Sequence, residues 1–586
     1  MPKIRCPMIC ALLLSLLAVT TLAAESKPLS APAAPRPYPK RIQWWADARF
    51  GMFVHWGPIS LKGAEISWSR ANSNPNCPNN GPIPVEIYDN LYQEFNPTKF
   101  NAREWVALAR AAGMKYIVLT AKHCDGFLLW ESEASSYNIM NTPFKRDICR
   151  ELAKACHEGG MPLGWYFSPM DWRDPDCRSE HHDRFVARMQ QELRELLTNY
   201  GRIDLLWFDA DGRSALWNQE QTYALVRKLQ PQIVINNRLD LGPGGACTGD
   251  WSFFIGPQAD YYTPEQHIGV FNTQQPWESC MTLSSGNHWS WGGPGDGVKS
   301  YRDCMEMLIR AAGNDGNLLL DVGPMPTGEI PPAQVSRLRE MGVWLAKNGH
   351  SIYGTRGGPF KSGIYGASTS KGNIVYLHIC CWTTDPLIFP AIPAKILSGH
   401  LLDGAQVRVR QSEDHIEISV PLSERDPLDT VVALELDSPA HSLAALEPPS
   451  LLTANAKATA SNVFQGRRSE YGPEKAVDGL LDTRWATDSV NSGWLELDLG
   501  RSVTFNRAVI IQAYPELERI RRFIIEYKEN SHWKPCYYGG MDYESADKSF
   551  YPFACQFDHI TAQFVRLNII KATDGPTIWE FNLFQQ

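Results

Sequence analysis

The sequence predicts a multidomain protein: a (β/α)8-like barrel, then a β-sandwich, then a second, C-terminal β-sandwich. Three observations carry this reading. Short β-rich runs alternate with helix-like stretches over residues 41–350, the helical period disappears over 351–445, and another β-rich unit fills 446–586. Repeated β-then-α with almost wholly apolar strands argues for a parallel sheet covered on both faces. About 310 residues with at least six such strands fit a barrel with insertions better than an open sheet.

In chain order the barrel runs are FGMFVHW, YIVLTA, LGWYFS, DLLWFD, IVINNR and NLLLDVG. Between them, AREWVALARAAGM stops at Gly113 and HHDRFVARMQQELRELLTNYG stops at Gly201; glycine ends helices because it enters the left-handed region without strain. His55, His123, Asp209 and Arg238 fall at or just past the C-terminal ends of four strands, the barrel face that hosts chemistry. IVYLHICCW, AQVRVRQ, HIEISVPL and VVALEL make the first sandwich, and DSPAHSLAALEPPS reads as a linker. WLELDLG shows the alternation of a half-buried strand in the last unit.

Residues 1–24 have the form of a secretory signal peptide: Lys3 and Arg5, the apolar ALLLSLLAV, then TTLAA. Residues 25–40 form a Pro/Ala-rich linker. The leader is too short to span a bilayer comfortably, and no later run offers a transmembrane span, so an exported chain is expected. A formal charge of −8 gives no basic footprint for nucleic acid. Twelve of the 14 cysteines follow the leader, and an oxidising compartment leads us to expect some disulfides. Cys149 and Cys156, about two helical turns (~10 Å) apart, are too distant to bridge. No Cys or His spacing reads as zinc.

RFGMFVHWG, LTAKHCDGFLLW, DLLWFD, INNR and WESCMTL…SWG resemble, in that order, the motifs of glycoside hydrolase family 29, the α-L-fucosidases. The tail is similar to coagulation-factor type C (discoidin-like) domains and to family 32 carbohydrate-binding modules, through AVDGLLDTRW and WEFNLF. The first resemblance implies a retaining exo-glycosidase acting on fucosylated oligosaccharides or glycoconjugates, without a catalytic cofactor. The different-class alternative is a catalytically silent glycan-binding protein that keeps the barrel as a scaffold.

By residue type alone Asp209 could be an acid that starts a turn; the resemblance makes it the nucleophile, a carboxylate able to trap an oxocarbenium-like centre as an ester. Of two acid/base candidates, Glu265 in TPE is preferred to Glu278 in WESC, which would otherwise support the site. The resemblance further implies sugar contacts from His55, Glu65, Trp68, His123, Tyr166, Trp207, Arg238 and Trp291. Cys124 stands where many relatives have a second histidine, and a thiol is a weak hydrogen-bond partner. EISWSR looks like the branch that prefers α-1,3/1,4 linkages. In the tail, Asp478, Thr483 and Glu580 match positions around a structural Ca²⁺, and Trp533, Tyr537 and Tyr538 offer rings to a sugar or to the core.

Overall fold

The computed structural model describes residues 35–71, 81–209, 214–239, 255–382, 385–402, 404–447, 452–453, 456–479, 483–488, 490–513, 519–542 and 553–585. The leader and most of the first linker therefore lie outside the described residues. Seven parallel strands, β1 (Phe50–Val54), β2 (Ile117–Lys122), β3 (Leu163–Phe167), β4 (Leu205–Phe208), β5 (Val234–Ile235), β6 (Glu278–Thr282) and β7 (Asn317–Val322), pair in the order β5-β4-β3-β2-β1-β7-β6.

An irregular eighth stave, 260–266, closes the ring. Asp260 N–H donates to Ile235 O on one side; on the other, Cys280 N–H donates to Pro264 O and Gln266 N–H to Cys280 O. This stave is irregular for a visible reason: Pro264 has no N–H to give a ladder. The strands are buried along their whole length, as expected of a sheet with helices outside and side chains within. Helices end where glycine was read as a stop, with Gly113 and Gly201 at φ 84° and 74°. Asp147 caps the helix Ile148–Gly159, and Ser300 with Asp303 forms a reciprocal capping box on Tyr301–Gly313.

No helix stands between the closing stave and β6. A cleft of about 830 Å³ opens there between barrel, first sandwich and tail, walled by Phe271, Arg310, Phe389 and Trp579 among others. It reaches Gln266 and His267, next to Glu265, but apart from Asp478 no residue expected to bind sugar or metal lines it.

The first sandwich packs a five-stranded antiparallel sheet on a three-stranded one around Leu377, Phe389, Ile416 and Leu434. The tail is a seven-stranded antiparallel sheet. Its two strands of 20 residues, Gly493–Gln512 and Phe553–Ala572, shift register between Asp498 and Val503 and again between Phe505 and Arg507. Such bulges let one strand bend through a sandwich.

Two expectations are corrected. The ten described cysteines are thiols, with no disulfide among them; Cys77 and Cys247 lie outside the described residues. The thiols instead fill apolar space, as Cys149 and Cys156 do in the barrel core. The segment read as a linker is also packed: Leu446 N–H donates to Pro359 O and Leu446 O accepts from Lys361 N–H. The tail is docked on the first sandwich through Ile364, Cys381, Val509 and Ile511, with Trp579 and Phe584 alongside.

Asp315 ties the barrel floor together. Its two oxygens accept from Arg49, Arg356, Tyr38 and the N–H of Gly357, and its side chain is fully buried. Asp315→Ala leaves two arginines short of their acceptor, and breaking a buried ion pair costs about 3 to 5 kcal/mol. Denaturant unfolding of the variant is expected to show that loss; an unchanged midpoint would remove Asp315 from the account.

Candidate active site

The residues at the centre of the site lie in the barrel strands or just past their ends. Asp209 follows β4 directly, and its N–H donates to Phe167 O at 3.2 Å, extending the β3–β4 ladder by one step. Asn236, just past β5, fixes the preceding peptide: it accepts from Phe208 N–H and donates to Phe208 O, both at 2.9 Å. The Asp209 carboxylate, 22% exposed, then receives one donor on each oxygen, Tyr166 OH at 2.6 Å and Arg238 Nη1 at 2.9 Å.

Arg238 also gives its sister nitrogen Nη2 to Glu265 Oε2 at 2.7 Å. Its Nε donates to Thr263 Oγ1 at 2.8 Å, and the guanidinium lies 4.4 Å from the centre of the Trp207 ring. Burial pulls its pKa down, but Glu265 and Asp209 together outweigh burial and raise it. It is a permanent cation in contact with both carboxylates.

A wall of stacked rings continues from Trp207. Tyr166 lies 5.5 Å from Trp207 at 17°, and His123 5.2 Å from Tyr166 at 4°. His55 stands 5.7 Å from His123 and 5.0 Å from Trp289. Both histidines use Nδ1 inside the protein, His55 with Asp321 Oδ1 and His123 with Ser67 Oγ, each at 2.6 Å. Nε2 is thus the nitrogen each can offer a hydroxyl group. Burial drives His55 well below the ordinary imidazole value, with His123 and Arg238 adding to the effect. Burial likewise raises Asp321 well above the ordinary carboxylate value, helped by Glu65 and opposed by His55 and Lys299. His123 is pushed down to about 4, again by burial, against the pull of Asp209.

The remaining expected residues divide. Glu65 does not present a free carboxylate: it accepts from the N–H groups of Trp289 at 2.8 Å, Ile66 at 3.0 Å and Ser290 at 3.3 Å. Burial raises its pKa, and those N–H groups work against the rise. Trp68 is 57% exposed, edge-on to Trp172 at 5.0 Å, so it belongs to the rim. Cys124 is buried beneath the site, its thiol 3.2 Å from Ser168 Oγ, which also bonds Asp209 O at 3.4 Å. The backbone of Trp291 packs on Gly323, where a Cβ would meet its N at 2.4 Å. The ring beside His55 is Trp289, two residues earlier. The chain bends at Trp289 and Ser290, so the two indoles of WSW part company, and the motif match alone did not say which faces in.

Glu278 sits at the first residue of β6, the N-terminal end of the barrel, and is fully buried. It accepts from Trp45 Nε1 and Trp207 Nε1, each at 3.1 Å, and from Tyr116 OH. Burial pushes its pKa up to about 7, with those donors and Tyr261 opposing. It lies under the site, supporting Trp207 from below.

In the tail, Thr483 Oγ1 bonds both Asp478 oxygens at 2.9 and 2.7 Å, and Lys475 Nζ lies 3.8 Å from Asp478. Glu580 is fully buried and accepts from Asn582 Nδ2 at 2.7 Å. Among the described residues no group of three or more His, Cys, Asp or Glu side chains could hold a metal. Asp478 and Thr483 alone are together, two hard oxygens of the kind Ca²⁺ takes. Tyr537 stacks on Phe523 and Tyr538 is 55% exposed.

The family model for alpha-L-fucosidase matches residues 17–350, and that for the F5/8 type C domain matches 457–581. The chain belongs to the α-L-fucosidase family. It is 31% identical over 385 residues to human plasma alpha-L-fucosidase, covering 61% of this chain and 79% of that protein. Alpha-L-fucosidase isoenzyme 1 from Paenibacillus thiaminolyticus superposes with a TM-score of 0.59 at 32% identity, over 68% of this chain and 99% of that one. A GH29 alpha-L-fucosidase from Bacteroides thetaiotaomicron, trapped as a covalent intermediate with 2-fluoro-fucosyl fluoride, gives 0.59 at 26% identity, over 70% and 100%. The chain is accordingly a glycoside hydrolase, and the site belongs to a fucosidase barrel.

Buried, neutral imidazoles carry a pH signature. The unfolded chain takes up a proton on each histidine near pH 6.5, but the folded protein does so at His123 only near pH 4. Acid therefore favours unfolding, and the stability held above pH 6.5 is lost as the pH falls toward 4. NMR of the His123 ring is expected to show no titration between pH 5 and 8; a midpoint near 6.5 would place that ring in water.

Proposed function

We propose that the protein is an exo-acting, retaining α-L-fucosidase that removes terminal α-1,3/1,4-linked L-fucose from glycans by double displacement, with Asp209 as nucleophile and Glu265 as acid/base. The observation that carries this reading is the pair of carboxylates on one guanidinium at the barrel mouth. Groups bonded to sister nitrogens of Arg238 are necessarily neighbours, and double displacement needs carboxyls about 5 to 5.5 Å apart.

In the first step Asp209 attacks the anomeric carbon, the glycosidic C–O bond breaks, and the Glu265 carboxyl gives its proton to the departing oxygen. A fucosyl ester on Asp209 results. In the second step Glu265, now a carboxylate, takes a proton from water; that water attacks the same carbon and frees Asp209. Two inversions give net retention. Arg238 and Tyr166 each donate to one Asp209 oxygen and orient the carboxylate for attack. Glu265 is bonded to Arg238 Nη2, so a substrate oxygen must draw it away before it can serve as acid. His55 and His123 offer Nε2 to ring hydroxyls, and the Tyr166–Trp207 wall offers an apolar face to the C5 methyl.

The exposed Trp68, edge-on to Trp172, suits the sugar next to fucose, the leaving group. The signal-like leader supports export, and no described helix is long and apolar enough to cross a membrane. The tail is proposed to bind glycan. Asp478 and Thr483 would give a structural Ca²⁺ two of its oxygens, and that ion would take no part in hydrolysis.

Asp209→Ala is expected to lower kcat on an aryl α-L-fucoside by roughly three orders of magnitude or more, with azide restoring turnover as a fucosyl azide of inverted configuration. Glu265→Ala should regain rate with azide and give the retained azide, whereas Glu278→Gln should show no rescue. Rescue only at Glu278 would reverse the acid/base assignment, and a folded parent inert on all fucosides would favour the glycan-binding scaffold. For Trp68→Ala, kcat/KM on a Lewis-type trisaccharide relative to the aryl fucoside should fall about tenfold, the scale of one lost ring stack. An unchanged ratio would take Trp68 out of the leaving-group site.

A further inference from the structure

Between β6 and the helix Tyr301–Gly313, the chain makes a loop, 283–300, that carries Trp289 to the sugar pocket. Two devices hold it. From the side, the Glu65 carboxylate accepts from the N–H groups of Trp289 and Ser290. From the base, Lys299 Nζ donates to Thr282 O at 2.8 Å, Thr282 Oγ1 at 2.9 Å, Ser284 O at 2.7 Å and Asn287 Oδ1 at 3.0 Å. All four are neutral oxygens, gathered from both ends of the loop's first turn, and the ammonium occupies the place a bound cation would take. A three-donor ammonium shared among four acceptors fixes the turn in a way no single hydrogen bond could.

We propose that Lys299 is a positioning residue of the active site: its ammonium organises the base of the 283–300 loop and so sets Trp289 and the Glu65 staple against His55. The inference rests on the reading of that pocket as the fucose site. Burial pulls the Lys299 pKa down to about 8, while Cys304, Asp303, Asp296 and Asp321, the titratable groups facing it, pull it up. Burying this cation therefore has a cost that deprotonation relieves, and a neutral amine still donates. Substitution rather than alkali is the informative perturbation.

Lys299→Met keeps the stem and removes every donor. KM for the aryl fucoside, and the Kd of L-fucose by calorimetry, are expected to rise roughly tenfold or more, the scale of lost hydrogen bonds to a charged group. kcat should stay within about threefold, because no group that touches the reacting atoms has changed. The emission of Trp289, isolated as the difference from a Trp289→Phe background, should shift to the red. Unmoved KM and emission, or a fall in kcat with KM unmoved, would overturn the inference. Should Lys299→Met fail to fold, Asn287→Ala removes a single acceptor and should move KM and emission in the same direction by less; no movement there overturns it equally. A parent inert on fucosides, with Trp289 emission still dependent on Lys299, would sink the fucose reading and leave the positioning role standing.

Discussion

The site depends on Arg238. One nearly buried guanidinium holds Asp209 through Nη1 and Glu265 through Nη2, and rests on the Trp207 ring. A lysine could not do this, because its ammonium is a point charge without a planar fork. Two like charges brought together at a barrel mouth repel, and an intervening permanent cation makes their proximity tolerable. The arrangement also couples their charges. In the proposed double displacement, Asp209 as an ester would no longer attract the guanidinium as an anion, and Glu265 would be its sole ionic partner.

The floor keeps Arg238 in place. Glu278 accepts from Trp207 Nε1, Trp45 Nε1 and Tyr116 OH in a region without water access. Those donors orient Trp207, and Trp207 carries the guanidinium. Staves from β2 to β5 thus contribute a continuous layer: His123, Tyr166, Trp207, Arg238. Each is locked by its neighbour as well as by its own strand, the kind of support that holds reacting groups to sub-ångström tolerance.

Much of this was legible in the chain. The apolar runs located six of the seven regular strands, because a strand covered on both faces must be apolar throughout. The acid at the end of DLLWFD and the arginine of INNR are where strand ends place them. Less legible was whatever depends on side-chain direction or long-range pairing. Nothing local marks Asp321 as the partner of His55, or Ser67 as that of His123, since these pairs join loops and strands 266 and 56 residues apart. Lys299 belongs to a stretch that reads as an ordinary polar loop. The closing stave escaped because DYYTPEQ, broken by proline, has neither strand nor helix period. Trp289 stands beside His55 in place of the expected Trp291 for a similar reason: motif position gives the loop, and only the backbone path gives the face.

Environment, rather than residue type, sorts the carboxylates of this barrel. Asp315 and Glu278 are fully buried and surrounded by donors; the first is matched by two arginines and acts as a clasp, and the second meets only neutral donors and has its proton affinity raised. Asp321 is buried against one imidazole, and burial raises its proton affinity. Glu65 spends its lone pairs on backbone N–H groups. Asp209 and Glu265, unlike those four, combine partial exposure, 22% and 32%, with a shared cation at the barrel mouth. A carboxylate that must form and release a bond to a visiting sugar cannot have all its lone pairs committed, and it cannot be sealed from the solvent that delivers the sugar and the water. These two conditions favour the proposed pair at the mouth over Glu278, though its raised proton affinity is the property commonly sought in a general acid.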